Sequence, residues 1–417
     1  MAVALVAGWV WVAALIVRHA IFVSHDSMIS YAHVWWISKH LHGGLPLHMP
    51  VLDHGQAYAF PYGFVPWATA GLLRPLFGDR IVTVWFVVGA AGVFAATFWA
   101  FPETRRGWGA AAVLVNPALV AGLLIGQQPF LWASALLLIA IGAWRRGWKK
   151  GATVLAALAQ ATHPAIVLPL AALLVVGVAI ARPRERRTLL AHYAVSLVAA
   201  SPAVWLVLAS PVVSDTSTLT KVAAFFETIG PRCLVLAVPV ALALLAPRLK
   251  ADGWHRMAGP AVVAALISTT AILWKPLQLP WAYRGLWRDP NTSMVRFMAT
   301  PAFVPGTTYR LLRIADGKIG MYQLIQHGAR LDSEFFPESV DRRSWPSPAA
   351  YGAFLRGRGV QYVMVWGGFD LVYRTNEHAL LRRMAARESP SCGGIPVTVE
   401  TVKITRPYEL FRIGPCG

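Results

Sequence analysis

The sequence predicts a polytopic α-helical membrane protein with a small α/β domain at its C-terminal end. Of the 417 residues, 56% are hydrophobic and 14% are charged, and the mean hydropathy is +0.52. This composition is too apolar for an ordinary soluble protein. Apolar runs fill residues 1–280, and residues 281–417 are polar with mixed helix and strand patterns, so two domains are expected.

Nine apolar runs are candidates for membrane or re-entrant helices, and we expect about nine to eleven such helices in all. The runs cover residues 1–23, 62–78, 81–101, 109–125, 128–143, 151–181, 188–209, 231–247 and 256–275. Several are shorter than the roughly 20 residues that a perpendicular membrane helix needs. His163 and Pro164 interrupt one run and predict a hairpin there. Short or broken helices of this kind usually line a cavity.

The formal charge of +19 is explained by the loops between the apolar runs. Three basic groups lie there: Arg145, Arg146, Lys149 and Lys150; Arg182, Arg184, Arg186 and Arg187; and Arg248, Lys250 and Arg256. Basic residues in short loops predict a cytoplasmic side and an attraction to anionic lipid headgroups. The basic residues form no stripe interleaved with aromatics, so membrane lipids and not nucleic acid are the expected partners.

If every apolar run crosses the membrane once, the number of crossings is wrong by one for the outer loop and the C-terminal domain to lie on the same side. Residues 1–23 lack a basic N-terminal region and a cleavage site, so we expect a retained helix and an outer loop over residues 24–61. The basic groups place the C-terminal domain, residues 281–417, outside as well. The short run 62–78 is therefore the first candidate for a re-entrant or miscounted segment.

The polar C-terminal domain shows alternating strand and helix signals. Strands are expected at residues 309–314, 360–366, 397–404 and 408–413, and helices at 348–356 and 376–386. This order predicts a small α/β unit. Cys392 and Cys416 lie in this domain and would form a disulfide if it is exported; two unpaired thiols are the alternative. No nucleotide-binding glycine motif occurs.

The outer loop contains the candidate catalytic residue, Asp26. It follows His25 directly after the first apolar run, and seven of the twelve histidines fall between His19 and His54. A carboxylate at an apolar rim is partly desolvated, which raises its proton affinity toward the range useful for a general base. Asp26 can also serve simply as a helix cap, because the stretch after Ser27 predicts an amphipathic helix in the interface.

The loop histidines also raise the question of a metal site. His40, His42 and His48 together with Asp53 offer enough ligands for a divalent cation. Their spacing fits no compact metal-binding motif, however, so no metal or other cofactor is predicted.

The order of these features resembles the GT-C superfamily of membrane glycosyltransferases, which use polyprenyl-phosphate sugars. The shared order is an aspartate after the first helix, then a tyrosine, Gly before Pro, and an aromatic-Pro-aromatic entry to the second helix. GQQPF at 126–130, the turn RRGWKK at 145–150 and the His-Pro pair at 163–164 add to the similarity. YGAFLRGRGVQYVMV at 351–365 and HALLRRMA at 378–385 resemble the exported α/β domain that many members carry.

The resemblance implies an inverting glycosyltransferase with Asp26 as general base. The sugar would pass from a polyprenyl-phosphate donor to a glycan, lipid or protein acceptor outside the membrane. Many members carry two acids in this loop, whereas here the neighbour is His25 and Asp53 is the candidate second acid. Frequent alanine and arginine indicate a GC-rich bacterial genome, so the expected location is a bacterial plasma membrane.

A departing lipid phosphate needs cationic or hydrogen-bonding partners, and sugar hydroxyls need polar side chains. The candidates for substrate binding are His25, Asp53, His54, Tyr58, Tyr62, Gln127, Gln128, His163, Lys275, Arg284 and Arg288. Each basic or aromatic member can instead be an anchor at the membrane interface, and the two glutamines can serve in helix packing.

Two other classes of function stay open. The protein can be a non-catalytic transporter of lipid-linked glycans or a cell-envelope assembly factor that docks partners through its outer domain. Paired inverted repeats would favour transport, and the sequence shows none. A transferase that binds lipid without turnover is the third possibility, because one acid stands where a pair is usual.

Overall fold

The structure is a computed structural model, and its described part is mostly helical with a small sheet domain at the C-terminal end. The described residues are 14, 18, 21–22, 27–52, 57–60, 62–101, 122, 126–209, 287–288, 305–312, 317–332, 344–373, 375–386, 394–406 and 408–416. Everything stated below concerns these residues.

Seven helices form the first part of the described structure. They are α1 (Ser27–His40), α2 (Phe64–Phe77), α3 (Arg80–Ala100), α4 (Gln128–Arg145), α5 (Lys149–Thr162), α6 (Pro164–Ala181) and α7 (Arg186–Ala209). By length and composition, three stretches can cross a membrane: Arg80–Ala100, Gln128–Arg145 and Pro183–Leu206. Pro164–Ile180 is a shorter apolar helix.

The predicted break at His163 and Pro164 is confirmed. α5 ends at Thr162 and α6 begins at Pro164. Proline has no backbone N–H to donate and its ring clashes with the preceding turn, but it is well suited to the first position of a new helix. α5 and α6 therefore form the expected hairpin.

The basic loops gather at one end of the bundle, which we call the basic end and define by residues 145–150 and 182–187. Arg145 Nη1 donates to the carbonyl oxygen of Ala100 at 2.7 Å, and Arg146 Nη1 donates to that of Trp99 at 2.8 Å. α3, α4 and α6 end here. The start of α4 lies at the opposite end, where Gln128 Nε2 donates to Val82 O in the first turn of α3 at 3.2 Å.

α2 begins and ends at that opposite end. Its N-cap Gly63 donates its N–H to Thr162 O at 2.7 Å, where α5 ends. Its C-terminal residue is followed by Gly78 and Asp79, which lead directly into α3. With 14 residues α2 is about 21 Å long. α2 therefore does not run from one end of the bundle to the other, and the re-entrant or miscounted status of the run 62–78 in a membrane stays a prediction.

α1 is a helix as predicted, but the predicted one-sided interfacial placement is wrong. Eleven of its 14 residues are buried, and they include Ser27, Ser30 and His33. Apolar and polar positions alike are covered, because α2, the start of α3 and the sheet domain pack around the helix. The close approach to α2 depends on Gly71, where a Cβ would lie 2.7 Å from Ile37 Cγ2.

The first predicted helix does not extend through residue 23. Ile21–Phe22 form a short strand, β1, which pairs antiparallel with β2 (Trp287–Arg288). Just before it, Arg18 N donates to Ala14 O at 3.0 Å in a helical turn. A partner strand more than 260 residues away in sequence satisfies the β1 backbone, and hydropathy does not reveal such a partner.

The sheet domain has a five-stranded sheet in the order β4-β3-β5-β7-β6. Its elements are β3 (Thr308–Leu312), α8 (Gly317–Gln326), β4 (Arg330–Leu331), α9 (Pro348–Gly357), β5 (Tyr362–Trp366), α10 (Phe369–Tyr373), α11 (Glu377–Ala385), β6 (Val397–Thr405) and β7 (Tyr408–Pro415). β3 is parallel to β4 and β5, whereas β7 is antiparallel to β5 and β6. The predicted strands and helices are confirmed, with β4, α8 and α10 in addition.

The sheet domain and the helical part share one hydrophobic core. It includes Met28, Val34, Trp67, Ile81, Met321, Tyr322, Leu331, Met364 and Leu410. The outer loop joins the sheet through its backbone, since Leu331 N donates to Val51 O at 2.8 Å and Leu52 bridges to Leu331. The sheet domain is thus packed against α1 and the outer loop.

Candidate functional site

Several predicted site residues lie outside the described part of the chain. These are His25, Asp26, Asp53, His54, Lys275, Arg284 and Cys392. Their roles stay predictions. The structure describes Tyr58, Tyr62, Gln127, Gln128 and His163, and the backbone of Arg288.

Tyr62 and His163, predicted from separate regions of the sequence, lie together at the end of the bundle opposite the basic end. Their ring centroids are 5.7 Å apart. Tyr62 also contacts Trp67 at 5.0 Å, and His163 contacts Phe130 at 5.9 Å. α2 brings Tyr62 here because its N-terminal Gly63 is hydrogen-bonded to the end of α5. We call Tyr62, Trp67, Phe130 and His163 the aromatic cluster.

The aromatic cluster reaches the first turn of α1. Trp67 Nε1 donates to Ser30 Oγ at 3.1 Å, and the Trp67 ring stacks on His33 at 4.4 Å. Ser27 is the first residue of α1 and is only 4% exposed. Asp26 is the residue before it in the sequence and lies outside the described residues.

Gln128 lies beside the same region and holds α4 to α3. Its Nε2 donates to Val82 O, and the next residue of α3, Thr83, shares a 2.6 Å hydrogen bond with the Tyr31 hydroxyl of α1. This contact joins α4 to α3, and the choice between a packing and a binding role for Gln128 stays open. Its Oε1 is buried without a hydrogen-bond partner in the described chain, which leaves one acceptor for a ligand hydroxyl. Gln127 is half-buried at the N-cap of α4.

Tyr58 and Arg288 are placed by other contacts. The Tyr58 ring lies 4.6 Å from His48 and 6.3 Å from Trp205 near the end of α7. The pairing of β1 with β2 brings the backbone of Arg288 opposite Ile21, five residues before Asp26 in the sequence. Arg288 is therefore near the chain segment that leads to Asp26.

Two of the three loop histidines, His40 and His48, lie against aromatic neighbours. His40 stacks on Trp36 at 3.8 Å and its Nδ1 donates to Trp36 O at 2.9 Å, while His48 lies against Tyr58. Among the described residues, no group of three His, Cys, Asp or Glu side chains is placed to hold a metal ion.

Three helix N-termini point to the end that carries the aromatic cluster. α3, α4 and α6 all begin there, and His163 is the N-cap of α6. A helix N-terminus carries a partial positive charge and unpaired N–H groups, so it favours a neighbouring anion. The cluster thus combines aromatic rings and a histidine with the positive ends of helix dipoles, a setting suited to an anionic group and sugar hydroxyls.

The sequence alone did not single out Asp79, which joins the helical part to the sheet domain. Tyr322 Oη donates to Asp79 Oδ2 at 2.5 Å, and Arg74 Nε donates to Asp79 Oδ1 at 2.8 Å. Burial and the Asp79 carboxylate raise the pKa of Tyr322, so its hydroxyl stays protonated. The sequence pattern that singled out Asp26 was also present for Asp79, because both aspartates follow an apolar run.

Cys416 is disulfide-bonded. The other two cysteines, Cys233 and Cys392, lie outside the described residues, so the pairing with Cys392 stays a prediction.

No protein-family model matches this chain, and no curated protein is detectably similar to it in sequence.

Proposed function

We propose that the chain is a multi-pass membrane glycosyltransferase of the GT-C type. It transfers a sugar from a polyprenyl-phosphate donor to a glycan, lipid or protein acceptor on the outer face, and Asp26 is the general base. One observation carries the proposal: the helix that starts directly after Asp26 is buried, and its first turn meets the aromatic cluster, which contains two independently predicted residues.

Charge and aromatic residues support a membrane orientation. At 21 residues, α3 is about 31 Å long, which matches a hydrocarbon core of about 30 Å. The basic end carries eight Lys and Arg residues and only one acidic residue, Glu185, within residues 145–150 and 182–187. The rings of Trp99, Trp144 and Trp148 lie at the same end. Such residues mark the cytoplasmic interface, so the outer loop and the sheet domain face outward in a bacterial plasma membrane. The disulfide at Cys416 agrees with an oxidising compartment.

The chemistry proposed is a single displacement. Asp26 takes the proton from an acceptor hydroxyl while the hydroxyl oxygen attacks the anomeric carbon. The bond between that carbon and the phosphate oxygen breaks on the other side, so the configuration inverts and the polyprenyl phosphate leaves with the electron pair. His163 and Tyr62 donate hydrogen bonds to the leaving phosphate.

The test is Asp26→Asn in the purified full-length protein, assayed with a polyprenyl-phosphate sugar and a mixture of candidate acceptors. Asn has the same shape but cannot take the proton, so we expect transfer to fall by about 10²–10⁴-fold. The matched control is Glu400→Gln, because Glu400 is an exposed carboxylate on β6 whose loss leaves the outer loop unchanged.

Transfer at the wild-type rate by the Asp26→Asn protein would end this assignment. Binding of the donor by the wild-type protein without turnover would point instead to a transporter or assembly factor for lipid-linked glycans. Equal unfolding temperatures of the variant and the wild type show that a lost activity is not a lost fold.

A further inference from the structure

A groove lies between α4, α5, α6 and α7 in the half of the bundle near the basic end. Its cavity has a volume of about 190 Å³. The walls are mainly apolar and include Leu137, Ala140, Ile141, Leu174 and Val178. The groove communicates with the surface of the bundle, because its wall residue Leu173 is 43% exposed.

The mouth of this groove is cationic. Arg145 and Arg182 both line it, and they belong to the loops that define the basic end. Trp144 lies between them and the interior, with the Lys149 ammonium 5.6 Å above its ring. Indole rings beside arginine and lysine are typical of the level of lipid headgroups.

Polar groups mark two levels inside the groove. Near the mouth, Thr153 Oγ1 and His192 Nδ1 hydrogen-bond each other at 2.6 Å. At the inner end, Gln160 Nε2 donates to Ser196 Oγ at 3.0 Å. The Gln160 Oε1 is fully buried and has no hydrogen-bond partner in the part of the chain that is described. Gln160 lies about 16 Å along α5 from Lys149, at 1.5 Å per residue.

We infer that this groove binds an anionic glycerophospholipid from the leaflet at the basic end. A depth of about 16 Å is about half of the 30 Å hydrocarbon core, which is the depth of one leaflet. A cavity of about 190 Å³ with mainly apolar walls suits part of an acyl chain. The phosphate pairs with Arg145 and Arg182 at headgroup level. The inference requires a bilayer but does not depend on glycosyl transfer.

The groove can be blocked without changing its charge. Gly177 of α6 lines it, and a Cβ built there meets no atom within 4 Å. A phenylalanine at this position has room beside the groove wall, so we expect its ring to obstruct the groove. Gly151 of α5 is the matched control, because its Cβ also meets nothing within 4 Å but it does not line the groove.

The experiment uses the full-length protein, stripped of lipid in detergent and reloaded, with the retained lipid counted by native mass spectrometry. The probes are phosphatidylglycerol, phosphatidylcholine, polyprenyl phosphate and inorganic phosphate. We expect one retained phosphatidylglycerol, at least about tenfold preferred over phosphatidylcholine. Gly177→Phe should lose it by about tenfold or more, and Gly151→Phe should retain it.

A charge variant tests the mouth separately. The double variant Arg145→Gln with Arg182→Gln should bind the anionic lipid no better than the zwitterionic one. Its control is Lys150→Gln with Arg184→Gln, which removes the same charge from exposed positions at the same end. If the first double variant fails to fold because Arg145 no longer bonds Ala100, the Gly177→Phe result still decides.

Four outcomes would overturn the inference. They are equal retention of phosphatidylcholine, preference for polyprenyl phosphate, full competition by inorganic phosphate, and unchanged retention in Gly177→Phe. Gln160→Leu gives a further test: an acyl chain gains an apolar neighbour, so retention should hold or rise. Loss of binding in that variant would mean that the ligand donates a hydrogen bond at the inner end and is not a phospholipid.

Discussion

The two ends of the helix bundle differ in charge, in helix termini and in what covers them. The basic end carries the C-termini of α3, α4 and α6, with Arg145 in the last turn of α4 and Arg182 as C-cap of α6. These cations complement the negative ends of the helix dipoles. The opposite end carries the three N-termini and is covered by α1, α2 and the sheet domain.

We propose separate tasks for the two ends. At the basic end, arginines bond directly to the last carbonyl oxygens of α3, which fixes the helix ends; in our proposal this end also faces lipid phosphates. At the opposite end, apolar packing of a second layer buries Trp67 and leaves Tyr62 and His163 half-buried, which reduces the access of water to the aromatic cluster. Such exclusion strengthens hydrogen bonds to a developing charge. We therefore expect sugar transfer only at the opposite end of the bundle, where α1, α2 and the sheet domain form this covering layer.

The covering layer depends on the sheet domain, and the largest expected effect follows from breaking that domain. Arg310 is fully buried and forms ion pairs with Glu377 and Asp332, at 2.9 Å and 2.5 Å. Burial disfavours its charge, but the two carboxylates raise the pKa of Arg310 well above its ordinary value. Arg310→Met leaves both carboxylates buried without their cation, so we expect a loss of about 3–5 kcal/mol in the free energy of unfolding.

The measurement is a urea titration of the full-length protein followed by circular dichroism of the sheet domain. The control Arg412→Gln breaks an exposed ion pair with Glu400 and should cost less than about 1 kcal/mol. Adding Glu377→Gln and Asp332→Asn to Arg310→Met should recover part of the loss. A small effect of Arg310→Met alone would show that the network does not hold the domain together.

The next largest effect is expected at the aromatic cluster. His163→Ala removes a donor to the leaving phosphate, so transfer should fall about a hundredfold, or about 2.7 kcal/mol in the activation free energy. The control is His327→Ala, an exposed histidine at the end of α8. Equal transfer rates in the two variants would show that the aromatic cluster takes no part in sugar transfer. The proposed functional difference between the two ends of the bundle would then be wrong.

Local patterns were sufficient for much of the fold. Pro164 predicted the break between α5 and α6, and alternating residues predicted β3, β5, β6 and β7, because proline and period-2 burial act within a few residues. The placement of α1 was not predictable in this way. Its polar residues suggested a solvent face, yet Ser30 bonds Trp67 and His33 Nδ1 donates to Ala59 O at 2.9 Å.

The candidate site was predictable in its residue types but not in its assembly. Polar residues at the ends of apolar runs pointed to Tyr62, Gln128 and His163. Their association depends on α2 lying across the end of the bundle, and the covering layer depends on Tyr322 bonding a residue 243 positions away. Which surfaces meet is decided by tertiary packing, and a single sequence records only that such surfaces exist.

A smaller effect is expected where the sheet domain meets the bundle. Tyr322→Phe removes the hydroxyl that donates to Asp79 and accepts from Gln326 Nε2 at 2.6 Å. A buried hydrogen bond to a charged group contributes about 1.5–3 kcal/mol, and half-exposed Asp79 can regain water, so a loss of about 1–2 kcal/mol is expected. Amide hydrogen exchange should then rise in α1 and α8 but not in the first turn of α5, at the basic end. Uniform exchange across all helices would contradict this local role.

The smallest expected effect is a pH dependence confined to the sheet domain. Burial alone would raise the pKa of Glu409, but Arg382 and His378 beside the carboxylate lower it below its ordinary range. A carboxylate with a lowered pKa stabilises the fold above its ordinary pKa, and this contribution is lost as the pH falls through the folded-state value. Because Arg382 is 61% exposed, the contribution is below about 1 kcal/mol. Glu409→Gln should remove this contribution. The difference in unfolding temperature between the wild type and the variant should therefore shrink below about pH 4. A difference that does not change with pH would show that Glu409 does not titrate with folding.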